Sequence, residues 1–261
     1  MLVKQIMNDK HPFIYEDELA TKARAIIRDF SIRILPVTDG NRKLLGKISR
    51  RDIMAISSSV SSIRAKGIMT TAKHVATVDD DATTAITAMV KADVWYAPVT
   101  VSSQDKTYKG VVGLDSFIES LIRMSPEKFM KDVSEIMTKK VVSCSSDDEV
   151  DNIWRLLQEK RFAGLPVTRN GKLVGMVTHK DLLESGRMLP TFEAAKGRFR
   201  ASSKVSSIMK TEVVSVQPSI KMVRVAKIMV SKDVGRIPVT DKDGKLVGIV
   251  DREDVARMLV K

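Results

Sequence analysis

The chain repeats itself. Four methionines, Met7, Met69, Met137 and Met209, each stand 29 residues ahead of a proline (7 to 36, 69 to 98, 137 to 166, 209 to 238). The prolines sit in "LPVT", "APVT", "LPVT" and "IPVT". One spacing held four times makes the 261 residues four copies of a unit of about 60. A unit of that length is too small to bury its own apolar faces well. The fold therefore has to be built from units packed on one another.

Each copy predicts the same order of elements. A short extended piece such as "HVATV" or "VVSCS" follows the methionine. An acidic start then leads into a helix, which suits the helix dipole. In "EDELATKARAIIRDF" the apolar residues Leu19, Ala23, Ile26, Ile27 and Phe30 fall at helical spacing. In "DDDATTAITAMVKAD" Ala82, Ala85, Ile86, Met89 and Val90 do the same. A residue before proline is pushed to extended geometry, so a strand begins there. A turn such as "RNG" or "KDG" folds it back into "KLVGMVT" or "KLVGIVD". A second amphipathic helix follows, as in "RRDIMAIS", "HKDLLES" or "REDVARML". The order is β-α-β-β-α and the class α+β. The expected units are 1–60, 61–124, 132–190 and 204–261, with "MSPEKFMKD" as the break between two pairs, 1–124 and 132–261.

Composition narrows the function. Apolar residues make up 43% and aromatic ones 5%, as in soluble globular chains. No apolar run is long enough for a membrane span, and "MLVKQIMNDKHP" lacks the apolar core of a signal peptide. The single cysteine, Cys144, cannot form an internal disulfide. It fits a reducing, cytoplasmic setting and reads as a small core residue. Cys144, His11, His74 and His179 show no metal-site spacing. No nucleophile–base pair or glycine-rich phosphate loop is visible, so no enzyme and no catalytic cofactor are expected. The net charge of +12 favours polyanionic partners. It is dispersed except in 187–204, where Arg187, Lys196, Arg198, Arg200 and Lys204 face one acid, Glu193, beside Phe199. That segment is either a solvated linker or a patch for nucleic acid. Scarce aromatics and the lack of a recognised nucleic-acid motif count against the second reading.

A polar motif recurs where the hairpin meets the second helix: Ser49-x-x-Asp52, Thr178-x-x-Asp181 and Asp251-x-x-Asp254. An acid three residues after a hydroxyl is a helix capping box. The same atoms also suit a nucleotide. A helix N-terminus offers free N–H groups to phosphate, and a nearby carboxylate can accept from vicinal ribose hydroxyls. Both readings stand for these residues.

The apolar-Met, helix, h-P-V and G-h-h-[ST]-x-x-D pattern resembles the CBS domain, and four in a row resemble stand-alone four-CBS proteins of archaea and the γ subunit of AMP-activated protein kinase. The resemblance covers nearly the whole chain. It implies two tandem pairs (Bateman modules) with clefts between paired sheets for AMP, ADP, ATP or S-adenosylmethionine. Carried onto this sequence, it puts the ribose acid at Asp52, Asp181 and Asp254 and the hydroxyl at Ser49 and Thr178. Arg50, His179 and Arg252 would face phosphate, with Arg33 and Arg236 ahead of the prolines. Ile34, Val142, Gly164 and Val214 would line the base, or simply pack the core. Unit 2 departs from the pattern, with Gly113 for the hydroxyl and Ser116 for the acid, so its ribose site is expected to be lost. Unit 4 has Asp251 where a hydroxyl is expected, and that carboxylate repels phosphate. The corners rank unit 3, unit 1, unit 4.

The expected function is a regulatory, non-catalytic adenine-nucleotide sensor read by an effector protein, with nucleic-acid binding as the alternative. Modules of this family pair, within one chain or between two copies of it.

Overall fold

The computed structural model describes residues 1–54, 62–185 and 203–260. Arg187, Lys196, Arg198, Phe199 and Arg200 of the basic segment lie outside the described residues. Unit 1 comprises β1 (Ile14–Tyr15), α1 (Ala20–Asp29), β2 (Ile34–Thr38), β3 (Leu44–Ser49) and α2 (Arg50–Met54). Unit 2 comprises β4 (Ala76–Thr77), α3 (Ala82–Lys91), β5 (Tyr96–Thr100), β6 (Tyr108–Gly113) and α4 (Leu114–Met124). A short helix, α5 (Val133–Ile136), precedes unit 3, which has β7 (Cys144–Ser145), α6 (Val150–Lys160), β8 (Gly164–Arg169), β9 (Lys172–Thr178) and α7 (His179–Ser185). Unit 4 has α8 (Met222–Ser231), β10 (Arg236–Thr240), β11 (Leu246–Asp251) and α9 (Arg252–Leu259). Its leading strand is reduced to one parallel bridge, Val216 to Val239.

The predicted β-α-β-β-α order is observed. In units 1 to 3 the leading strand runs parallel to the proline strand, which pairs antiparallel with the next. All four hairpins shift register between the valine and threonine of "PVT". In unit 3 the turn is tight. Asn170 and Gly171 both take positive φ (52° and 76°) and Arg169 pairs with Lys172, as a two-residue hairpin needs.

The two predicted helical stripes fare differently. In α3, Ala82, Ala85, Ile86, Met89 and Val90 are all buried, and Asp81 caps the helix by accepting from Thr84 N at 2.9 Å. In α1, Ala20, Ala23 and Ile27 are buried, but Leu19 and Phe30 are 42% and 66% exposed. The helix is shorter than its stripe suggests. Leu19 is its extended N-cap and Phe30 its C-cap, so neither shares the buried face. A left-handed residue stands five places before each proline: Ser31, Asp93, Arg161 and Asp233, with φ between 47° and 57°.

The units exchange their first turns. Residues 3–8 bond to unit 2 (Val3 N to Asp80 O, 2.9 Å; Asn8 N to Val111 O, 2.8 Å). Residues 65–70 return the bond to unit 1 (Ala65 N to Glu18 O, 2.7 Å; Lys47 N to Thr70 O, 2.9 Å). Likewise Val133 and Thr138 bond to unit 4, while Val205 and Lys210 bond to unit 3. This crossing accounts for the glycine of the G-h-h motif. A Cβ on Gly46 would come within 2.8 Å of the Thr70 carbonyl oxygen, and one on Gly175 within 2.9 Å of that of Lys210. The hairpin ends also touch, through Leu44 N to Lys106 O and Leu173 N to Gly244 O.

Helices join the two pairs. α4 packs on α8 and α9, and α3 also meets α9, so one continuous core runs through units 2 and 4. α7 packs on α1 and α2, where Leu183 enters the core of unit 1 and Met54 touches that of unit 3. Among the described residues those two cores remain distinct.

Gly175→Ala should destabilise the chain by about 1–3 kcal/mol, because backbone rather than a side-chain end must yield. Urea unfolding checks this, and an unchanged midpoint would contradict the crossing-chain account. Arg161→Gly should stabilise by about 1 kcal/mol, since it relieves a left-handed non-glycine residue at a helix end. Thermal melting reads the gain, and no rise in Tm would contradict it.

Candidate functional site

The three polar motifs all cap their helices. Ser49 N and Oγ donate to Asp52 Oδ2, both at 2.7 Å, and Asp52 N donates back to Ser49 Oγ at 3.3 Å. Thr178 N and Oγ1 donate to Asp181 Oδ2 at 2.8 and 2.6 Å, and Asp181 N donates back at 3.3 Å. In unit 4, Asp251 N donates to Asp254 Oδ2 at 2.9 Å, while Asp251 Oδ1 accepts from Glu253 N and Asp254 N. In Asp52 and Asp181 every cap bond falls on Oδ2, so Oδ1 takes none of them. The cap and a ribose contact therefore do not compete for the same oxygen.

The corners differ electrostatically. Burial raises the proton affinity of Asp181, against its two bonds from Thr178. Burial and then the neighbouring Asp251 push Asp254 up to about 6. Two carboxylates already crowd that corner, and Arg236 lies 3.7 Å from Asp251. In unit 1, Lys47 Nζ lies 3.8 Å from Asp52 Oδ2 and donates to Thr70 Oγ1 at 3.1 Å. An open cleft of about 330 Å³ is lined by Leu45 and Gly46 of the same strand and by Ala72, Val75 and Lys106.

The residues next to the motifs converge on a junction between the units. Arg33 forms an ion pair with Asp233 (3.0 Å) and lies over the Tyr96 ring. Arg252 is 1% exposed and bonds Asp233 (2.8 Å), Asp115 (3.4 Å) and the Tyr96 hydroxyl. Arg236 stacks over Trp95, 4.7 Å from the ring centre. Arg50 donates to the carbonyls of Ile32 and Ser31 and forms no ion pair among the described residues. Burial, then Arg33, lowers it to about 10. His179 packs against the Trp154 ring at 5.7 Å and has a buried Nε2 with no hydrogen-bond partner among the described residues. Burial, then Arg236, Arg51 and Arg50, lowers it to about 4, so the ring is neutral at pH 7.

In unit 2 side chains fill the corresponding corner. The Tyr96 ring lies where a Cβ on Gly113 would come within 2.6 Å of it, and its hydroxyl donates to Asp115 Oδ2 at 2.9 Å. Ile34 stands opposite Ser49 in its own hairpin and packs with Phe13, Tyr96, Tyr108 and Val111. Gly164 lies against Thr178, whose Cγ2 would be 2.8 Å from an added Cβ. Val142 is exposed and Val214 half-buried. Sequence reasoning passed over Tyr96, Asp115, Asp233 and Trp95. Tyr96 had a signal: it stands two before its proline, in register with Ile34, Gly164 and Arg236.

Residues 3–59, 133–187 and 205–261 match the family model described as the CBS domain. Unit 2, whose corner is filled, is not among the matched stretches. Protein MJ1225 from Methanocaldococcus jannaschii is 25% identical over 282 aligned residues, 98% of each chain. Its crystal structure, offered as that of an archaeal homologue of g-AMPK, agrees with a TM-score of 0.87 at 22% identity, over 99% of this chain and 100% of that one. An uncharacterised conserved protein from Pyrococcus horikoshii agrees at 0.68 and 21%, with the same coverage. A CBS domain-containing protein from Dictyostelium discoideum is 33% identical over 132 residues, 49% of this chain and 91% of its own. The structural likenesses speak for the fold. With the family model matching well over half its length, the chain belongs to the CBS-domain family, with four units arranged as two tandem pairs.

Proposed function

We propose that the chain is a regulatory, non-catalytic sensor of adenine nucleotides: AMP, ADP or ATP, with S-adenosylmethionine as the alternative ligand. The observation that carries this reading is that the cap bonds of Asp52 and Asp181 leave Oδ1 unused, beside a junction rich in arginine. Oδ1 would take a ribose hydroxyl, and a hydroxyl offers a donor that suits it. The phosphate would run toward Arg50 in unit 1 and toward His179 with its arginines in unit 3. Among the described residues Arg50 bonds only to carbonyls and His179 Nε2 has no hydrogen-bond partner, so each gains from an arriving anion.

Unit 3 is the first site and unit 1 the second. Unit 4 ranks lower because Asp251 and Asp254 already share their space and Asp251 holds Arg236. Unit 2 offers no room beside Tyr96. No catalytic step is assigned to these groups. Cys144 is buried and burial pushes its thiol up to about 12, far from a reactive thiolate. The nucleotide would act by favouring one arrangement of the two pairs over another, and an effector protein would read the difference.

A thermal-shift and calorimetry panel with AMP, ADP, ATP, S-adenosylmethionine and a short DNA duplex tests the reading. A ligand at 100 times its Kd should add about 2.7 kcal/mol. Asp181→Ala should cost about 1 kcal/mol of basal stability through the lost cap and remove the unit 3 binding event. Asp52→Ala combined with it should leave no nucleotide shift. A double variant that binds as well as the parent would reduce both motifs to caps, and salt-sensitive DNA binding without a nucleotide shift would favour the nucleic-acid reading.

A further inference from the structure

The junction carries an anion of its own. Asp233 lies just beyond α8 in unit 4, and its carboxylate reaches unit 1. Its Oδ1 lies 3.0 Å from Nη2 of Arg33 and its Oδ2 3.4 Å from Nη1, while Nη2 also donates to the Asp233 carbonyl at 3.2 Å. The same Oδ1 accepts from Arg252 Nη2 at 2.8 Å. Two guanidinium groups from different units thus share one two-oxygen acceptor, which is the geometry in which arginine holds phosphate. Exposure is uneven across this contact. The Arg252 side chain is 1% exposed and that of Asp233 62%. The carboxylate is an outer cover on a buried cation and can leave toward solvent without breaking the core.

The carboxylates of the junction are shared unevenly among its arginines. Asp233 pairs with Arg33 and Arg252, Asp115 with Arg252, and Asp251 with Arg236. Arg50 has no such partner among the described residues, and its N–H donates to the Arg33 carbonyl at 3.4 Å. A phosphate beside Ser49 and Arg50 would therefore lie next to the Arg33–Asp233 pair. Ser31, Asp93 and Arg161 occupy the place of Asp233 in the other units, and among the described residues none puts a carboxylate on these arginines.

We propose that Asp233 is an internal anion that limits how many phosphates the ligand of the Ser49–Asp52 corner can carry. A single phosphate meets Arg50 and leaves Asp233 in place. A longer chain needs the Arg33–Arg252 seat and must displace Asp233, whose charge repels it until it leaves. The proposal rests on the nucleotide reading for the identity of the ligand, but the anion seat itself does not.

Calorimetric titration of the full chain and of Asp233→Asn with AMP, ATP and inorganic tripolyphosphate tests it. Asparagine tolerates the left-handed backbone at this position (φ 47°). Asp233→Gly also tolerates it and lacks the carboxylate, so it guards against an effect of the amide. Both variants should bind tripolyphosphate and ATP about tenfold tighter, with AMP changed far less, as removal of one half-exposed like charge allows. Unchanged tripolyphosphate affinity and an unchanged ATP-to-AMP ratio in both variants would overturn the proposal. A gain for tripolyphosphate with no binding of AMP or ATP to any form would uphold the seat and overturn the nucleotide reading instead.

Discussion

The exchanged first turns are the constraint on which the rest of the molecule depends. Each quarter of the chain gives its methionine-bearing turn to its neighbour and receives one back. The incoming backbone lies so close to the second hairpin strand that Gly46 and Gly175 have no room for a Cβ. The recurrent glycine thus belongs to the pairing of units rather than to the hairpin alone. A single unit forms its own sheet but lacks the turn that its neighbour lays against it, which is why about 60 residues do not suffice. The same crossing segments lead into the leading strands, and a polar motif stands at the end of the hairpin in units 1, 3 and 4.

The two halves of the molecule then part ways. Units 2 and 4 share one core through α3, α4, α8 and α9. The corner of unit 2 is filled by Tyr96 and Asp115, and that of unit 4 is crowded by paired acids and an arginine. Units 1 and 3 keep a hydroxyl and an acid with one oxygen outside its cap, next to Arg50 in unit 1 and to the neutral His179 in unit 3. Filling a cleft with aromatics adds buried area and stability. Leaving one polar costs stability unless something binds there. The asymmetry sets a shared core with filled corners on one side against two capped polar motifs on the other.

Much of the fold was legible in the sequence because its signals are local and repeated. The 29-residue spacing, the helical stripe of α3 and the Asn170-Gly171 turn each act within a few residues or recur in register. The capping geometry of Thr178 and Asp181 is equally local, so the motif could be placed at the hairpin–helix junction. What stayed hidden depends on contacts between distant parts of the chain. Spacing says that turns repeat, not that each packs on the neighbouring unit. Arg33 meets Asp233 across 200 residues and Arg252 meets Tyr96 across 156, and no pattern within a unit encodes either. Ile34 shows the same limit: it stands opposite Ser49, as its register requires, but its packing with Tyr96, Tyr108 and Val111 of unit 2 is not encoded within its own unit. Phe30 fits the stripe of α1 by spacing, but the helix ends before it can be buried.

A crystal structure of the full chain grown with AMP tests the central claim most directly. The account predicts ribose hydroxyls within hydrogen-bond distance of Oδ1 of Asp181 and Asp52, phosphates turned toward His179 and Arg50, and Tyr96 still filling the corner of unit 2. AMP bound at the Gly113 corner with Tyr96 displaced, or no AMP at either motif, would contradict it.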